Sequence, residues 1–413
     1  MRISTIQAFN NGVTGIQRNY ANATRTQEQI STGNRILTPA DDPVASVRLL
    51  QLEQQQNVLT QYKDNLTAAK NSLNQEEVTL NSVNTVLQRV RELAVQAGNG
   101  ALSQADRQSI AAELGERENE LFGLMNTRNA RGEYLFSGFQ GKTQAFVRDG
   151  DGSYSYQGDE GQRKLQIASS QEVAISDSGK KIFQNIINAG RLELSPAVGP
   201  YAPGSGLSVS APLVQDEVAF SGTPAFPDTG IEIRFDPLDP KRYDVYGIPA
   251  AAVLDSGRMD EDDAKNDQLV FRGVSVLFDG VPAGGESIQV TADSTRQKQG
   301  ILGTIAQLRS SLENPATGAQ VRDAVALALT NLDHGMTTVD GVRGEIGARL
   351  NVIETTQVDN EDVTLVNKSV QAELRELDYA EALSRLSFQT IILEAAQQSY
   401  VKIAGLSLFN QLR

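Results

Sequence analysis

The chain has no cysteine, no tryptophan and a single histidine, His334. Without cysteine there is neither a disulfide framework nor a thiolate metal site. One histidine cannot build a His-based zinc site or a His-Glu-x-x-His helix. No Gly-x-Ser-x-Gly elbow is present to pair with it. Basic residues are the minority, 37 Lys and Arg against 51 Asp and Glu, for a net charge of −14. With no basic stripe, the sequence offers nothing to a nucleic-acid backbone or an anionic membrane surface. The longest unbroken apolar run, Ala324 to Leu329, is far too short to span a bilayer, so no membrane insertion is expected. Met1-Arg2-Ile3-Ser4 opens without the basic stretch and apolar core of a signal peptide. Composition alone therefore predicts a cytoplasmic protein, and export would need separate support. Neither a Walker loop nor a dinucleotide fingerprint occurs. Gly284-Gly285 lies between predicted strands and does not open a helix, so it is no phosphate cradle. No cofactor and no catalytic residue is expected.

What the sequence does have is helical periodicity at both ends. Ile3, Ile6, Phe9, Val13, Ile16, Tyr20, Ala23 and Ile30 recur at steps that place them on one helix face, and Gly33 stands where a C-cap is expected. Asp41-Asp42-Pro43 reads as a helix start, with a carboxylate accepting from first-turn amides and proline at the first helical position. An acid/base pair of Asp41 and Asp42 is the weaker reading. A seam from Leu59 through Leu66, Leu73, Leu80, Leu87 and Ala94 to Ala97 follows strict three-four alternation, with one polar interruption at Glu76. Ser103 and Asp106 read as a capping box for a further helix running to about Gly132.

The other end mirrors this. Helices are predicted over 299–313 and from Pro315 onward, through Val321, Val325, Leu332, Val339, Val342, Ile346 and Ile353. Asp359-Asn360-Glu361-Asp362 is a candidate joint. Val363, Val366, Val370, Leu374 and Leu377 continue the seam, and a last stripe carries Phe388, Ile391, Ala395, Ile403, Leu406 and Phe409.

Between them the character changes. Ten of the 13 prolines fall between Pro196 and Pro282, so turns dominate there. Alternating runs at Tyr154–Tyr156, Ile231–Phe235, Tyr243–Tyr246, Val274–Phe278 and Ile288–Val290 read as strands. Asp149, Asp151, Ser153 and Glu160 fall at calcium-loop positions, but Tyr154 stands where that loop needs glycine, so a hairpin turn is favoured. Asp260-Glu261-Asp262-Asp263 reads as a solvated loop, and His334 as a surface or seam residue. The fold expected is mainly α with a β insertion, in which both chain ends form a coiled-coil helical rod. Helices at the two ends cannot bury their stripes alone. They must pack on each other, on neighbouring subunits, or on both.

Ser31-Thr32-Gly33-Asn34-Arg35 followed by Pro39-Ala40-Asp41-Asp42-Pro43 resembles the amino-terminal signature of the flagellin family, in the Asp-Asp-Pro form of its hook-associated members. Gly132-Glu133-Tyr134-Leu135-Phe136-Ser137-Gly138 is similar to that family's exit from its amino-terminal helices. Asp378-Tyr379-Ala380-Glu381-Ala382 and Gly405-Leu406-Ser407-Leu408-Phe409-Asn410 resemble its carboxy-terminal signature. The likeness covers about residues 1–180 and 270–413 and is weak over 190–265. It implies an inner coiled-coil domain of residues 1–42 with 376–413, a helical rod domain of 43–140 with 292–375, and a β-rich outer domain of 141–291. It further implies type III export without a cleaved signal peptide, and an extracellular subunit joining hook to filament. Partners would be further copies in a ring or helical tier, another hook-associated protein, flagellin and an export chaperone. The terminal stripe (Ile3, Ile6, Phe9, Val13, Ile16, Tyr20, Phe388, Ile391, Ile403, Leu406, Phe409) fits an intrachain core or a seam between subunits, and the resemblance favours the seam. The competing readings are a flagellin that forms the filament itself, and a carrier of a surface- or ligand-binding β domain.

Overall fold

The computed structural model describes residues 2–196, 206–249, 252–260, 267–314 and 317–409. Three helices come first: α1 (Arg2–Thr32), α2 (Pro43–Ala97) and α3 (Gln104–Met125). Ser103 caps α3 in a reciprocal capping box with Asp106. The expected run to Gly132 stops at Met125, because Asn126 turns its amide back onto Phe122 O at 3.1 Å and takes the Phe146 N–H at 2.9 Å. A side chain that satisfies backbone groups locally removes the reason for the helix to continue.

The middle holds strands β1 (Phe146–Arg148), β2 (Tyr154–Tyr156), β3 (Lys164–Ala168), β4 (Gln171–Ala174), β5 (Ile186–Ile187), β6 (Leu192–Pro196), β7 (Ser208–Val209) and β8 (Leu213–Val214). After a one-turn helix α4 (Glu217–Ser221) follow β9 (Ile231–Phe235), β10 (Arg242–Gly247), β11 (Val253–Arg258), β12 (Asp267–Phe271), β13 (Val274–Asp279), β14 (Ser287–Ala292) and β15 (Lys298–Gln299). All five sequence-predicted strands are present. A five-stranded antiparallel sheet has the order β11-β10-β9-β14-β6, and a second sheet is built from β12, β13, β7 and β8. Their inward residues share one core, in which Phe235 of β9 meets Phe278 of β13 edge-on at 5.6 Å. The Asp149 segment is the turn of the β1–β2 hairpin, with Gly152 at φ +85°. Among the described residues no group of three acidic or histidine side chains could hold a metal ion, and no helix is long and apolar enough to cross a membrane. Of the acidic run at 260–263, Glu261 to Asp263 lie outside the described residues.

The chain then returns to helix: α5 (Ile301–Glu313), α6 (Gly318–Arg375) and α7 (Tyr379–Phe409). The expected joint at 359–362 is absent, since α6 runs through it unbroken. Asp359, Glu361 and Asp362 stand in water and Asn360 faces the seam, an arrangement that leaves the helix intact. The true break is at 376–378, where the Asp378 carboxylate accepts from the N–H groups of Ala380 and Glu381 and starts α7.

The molecule is thus mostly helical, its N- and C-terminal helices pack together, and a β region is inserted between them. Two compact units can be distinguished, one of residues 1–66 with 354–413 and one of 67–353. In the larger unit, α2 and α6 share a dry seam of Leu73, Leu80, Leu87, Val339, Val342 and Ile346, all essentially inaccessible. Each such side chain contributes about 1.5–3 kcal/mol on burial. Polar pairs flank it, with Arg91 on Asp333 at 2.7 Å and Arg343 on Glu77 at 2.8 Å. His334 accordingly sits beside the seam, its Nδ1 3.0 Å from the Ile187 carbonyl oxygen.

Candidate assembly surface

The smaller unit is where the terminal stripes lie, and its helices keep large apolar side chains in solvent as well as inside. On α7, the face turned inward is Ala382, Leu386, Gln389, Leu393, Ala396 and Tyr400, at strict four-three spacing. Tyr400 reaches α1, with its ring 5.1 Å from that of Phe9 and an edge over Gly12, where a Cβ would stand 3.2 Å away. The partner face of α1 runs through Ile16, Ala23, Thr26 and Ile30. A different and more apolar face of α7 remains in solvent: Phe388 is 66% exposed and Ile391 59%, joined by Leu383, Ile392 and Val401.

α6 goes further and turns polar residues inward. The positions that continue its seam into this unit are Ile353, Thr356, Asn360, Thr364, Asn367, Gln371 and Leu374, mostly polar. Val363 and Val366, expected in the seam, instead stand out in solvent at 41% and 60% exposure, beside Leu365. They fall one residue before the inward positions, and the frame set by Ile346 and Ile353 decides the phase. The start of α2 does the same with Val44, Val47 and Leu50. This unit holds under a third of the chain but most of the exposed large apolar side chains among the described residues. Inside, the amide atoms Gln56 Oε1, Asn367 Nδ2, Gln371 Nε2 and Gln389 Oε1 are buried with no hydrogen-bond partner.

Of the stripe residues, Phe9 and Tyr20 are exposed and Val13 and Ile16 half-buried. The side chains of Ile3, Ile6, Ile403, Leu406 and Phe409 lie outside the described residues. The sequence missed Val44, Val47, Leu50, Leu365, Ile392 and Val401. Each was available as an apolar residue on a helix, but nothing local distinguishes an outward position from an inward one.

A compact joint ties α1 to the α6–α7 break. Gly33 turns at φ +70°, its carbonyl accepts from Leu377 N–H at 3.0 Å, and Arg35 N–H donates to Arg375 O at 2.8 Å. Arg375 Nε donates to Asn34 Oδ1 at 3.0 Å. Asp41 and Asp42 divide their work. Asp42 Oδ1 accepts from Ala45 N–H at 2.9 Å in the first turn of α2, with Pro43 at its first position. Asp41 instead faces back, accepting from the N–H groups of Leu37 and Thr38 and from the Arg25 guanidinium. Both carboxylates are consumed by structure, which leaves no acid/base pair.

Residues 3–141 match the family described as the bacterial flagellin N-terminal helical region. The chain is 36% identical over 186 residues to flagellar hook-associated protein 3 of Salmonella typhimurium, covering 45% of this chain and 58% of that one. It thus spans little more than half the length of the curated relative it matches. Among solved structures, hook-associated protein 3 of Legionella pneumophila superimposes with a TM-score of 0.64 at 26% identity, over 78% of this chain and 98% of that one. The flagellar junction protein FlgL of the same organism gives 0.61 at 27%, over 79% and 99%. Over its N-terminal third the chain is thus similar to the flagellin N-terminal helical region, and over most of its length to the solved hook-associated protein 3 and flagellar junction protein FlgL.

Proposed function

We propose that copies of this chain assemble through the outward apolar face of the smaller unit, forming a ring or short helical tier that joins hook to filament. The observation that carries this is the surface just described, with Phe388, Ile391, Ile392, Leu365 and Val366 turned out while the inward positions of α6 are mostly polar. An exposed apolar surface of this extent on one part of a molecule marks an interaction site, and a heptad face left free on a helix is suited to another helix. In this reading residues 1–42 with 376–413 form the inner layer, 43–140 with 292–375 the helical layer around it, and 141–291 the outer domain. Another hook-associated protein stands on one side and flagellin on the other, and an export chaperone covers the face beforehand. In this reading the chain works outside the cell, as part of the flagellum.

Ile391→Asp and Phe388→Asp test this, because both side chains are exposed in the single chain and a charge there costs the free fold little. Each variant is expected to keep the wild-type circular dichroism and to be secreted. In cells lacking the native gene, each should leave hooks without filaments and flagellin shed into the medium. Normal filaments on cells carrying either variant would refute the assignment of this face.

A further inference from the structure

The one polar residue in the α2 seam is also the most completely buried carboxyl group on that helix. Glu76 occupies a core position between Leu73 and Leu80 and is 1% exposed. Its Oε1 accepts from the main-chain N–H of Asp177 at 3.1 Å. The Asp177 side chain, itself fully buried, takes both arms of the Arg349 guanidinium at 2.7 and 3.0 Å and the Gln162 amide at 2.6 Å. Two carboxyl groups therefore share a dry site with one guanidinium, and Asp177 saturates it.

The second cation near Glu76 is Arg163, and of the charges acting on the carboxyl its influence is the smallest. Arg163, across the site, is bound by its NH1 to Glu133 at 2.9 Å. On α6, Glu345 bridges Arg349 and Lys181, at 3.2 and 3.1 Å. Arg343 is taken by Glu77 and Asp340. An anionic Glu76 would stand unpaired in a low-dielectric site beside a second anion, a state proteins avoid by keeping the proton. Desolvation, followed by the charge of Asp177, pushes the Glu76 carboxyl up to about 8. Since Oε1 already accepts from Asp177 N–H, the proton belongs on Oε2.

We propose that Glu76 is held as the neutral acid and acts as a pH-sensitive latch, fastening the 175–179 segment to α2 and loosening it when a second negative charge appears beside Asp177. That segment is well placed to matter. Ser178 pairs with Ser137 in an isolated bridge, and Gly179 N–H donates to Phe136 O at 2.9 Å. Loosening it therefore also removes two of the ties on the 132–138 turn through which the chain leaves its N-terminal helices.

The sign follows from linkage. The folded site binds its proton up to about pH 8, whereas the unfolded or opened carboxyl loses it near 4.5. Between those values the closed form holds one more proton, so closure weakens about tenfold per pH unit as pH rises, and levels off above 8. The test uses the full chain, wild type and Glu76→Gln, followed from pH 5 to 9 by thermal unfolding and by hydrogen exchange at the amides of 175–179. Corrected for intrinsic exchange, wild-type opening should grow toward pH 8 and then plateau, while Glu76→Gln stays flat and becomes the more stable protein at pH 8. Parallel profiles for the two proteins would overturn the latch. Should Glu76→Gln not fold, Glu76→Leu gives the same comparison. The carboxylic C=O infrared band of the wild type at pH 6 decides independently, since an ionised Glu76 there would be fatal to the proposal.

Discussion

At Gly33 the backbone takes φ +70° so that its carbonyl can meet Leu377 N–H, and a Cβ there would stand 2.9 Å from Tyr379 Oη. Two separate costs follow for Gly33→Ala. The left-handed conformation costs an L-residue about 1–2 kcal/mol, and the tyrosine hydroxyl must also move. Gly33→Ala should therefore lower the urea midpoint of the terminal unit, and adding Tyr379→Phe should restore only the part due to the hydroxyl. Full recovery in the double variant would mean that the backbone at 33 is not strained. The Gly33 cap (its N–H returning to Gln29 O), Asp42 and the Ser103–Asp106 box could be read from the sequence because each closes within four residues, whereas the Gly33 bond to Leu377 could not. The state of Glu76 could not, since the Asp177 amide it accepts from lies 101 residues away. An isolated glutamate in a heptad shows only that something polar is buried.

Among the elements, α6 is the instructive one. Its periodicity announces a helix throughout, yet the sequence reading placed Val363 and Val366 in the seam because apolar residues are assumed to face inward. The helix cannot change phase without breaking, so the frame fixed by Ile346 and Ile353 carries Asn367 and Gln371 inside. There Asn367 Nδ2 and Gln371 Nε2 have no partner. A buried donor left unpaired costs about 1–3 kcal/mol. Asn367→Leu and Gln371→Leu together should thus raise the thermal midpoint of the isolated chain, the reverse of the usual effect of altering a seam. A lowered midpoint would show that these amides are satisfied in solution. The strands divide in the same way. β9, β10, β13 and β14 alternate over enough residues to be recognised, whereas two-residue strands such as β5, β7 and β8 carry no period at all. β11, with neither apolar alternation nor burial, is held in place by pairing with β10 and by the Arg258–Asp239 ion pair at 3.1 Å.

For the molecule as a whole, the β insertion raises the question of where it can be removed. Composition suggests cutting 190–265, the stretch of weakest family likeness. That cut would take β6, β9 and β10 and leave β14 without either of its hydrogen-bonded neighbours, β6 and β9. The ladder offers a better boundary, because Leu192 and Ala292 are paired across β6 and β14, and just outside them Asp293 N–H donates to Arg191 O at 2.9 Å. Replacing residues 193–291 by an Asn-Gly turn rejoins two positions that are already neighbours. The excision removes both sheets with their shared core. It also removes Glu217 from Arg191, but that guanidinium then gains water in place of its partner, so no unpaired buried charge remains. The shortened chain should keep the α2–α6 seam, the Glu76 site and the face carrying Phe388 and Ile391, none of which draws a residue from 193–291. In cells lacking the native gene it is expected to be secreted and to support filaments. Secretion without filaments would move part of the joint into the β region, whereas a chain that cannot fold would show that the sheets stabilise the helices they interrupt.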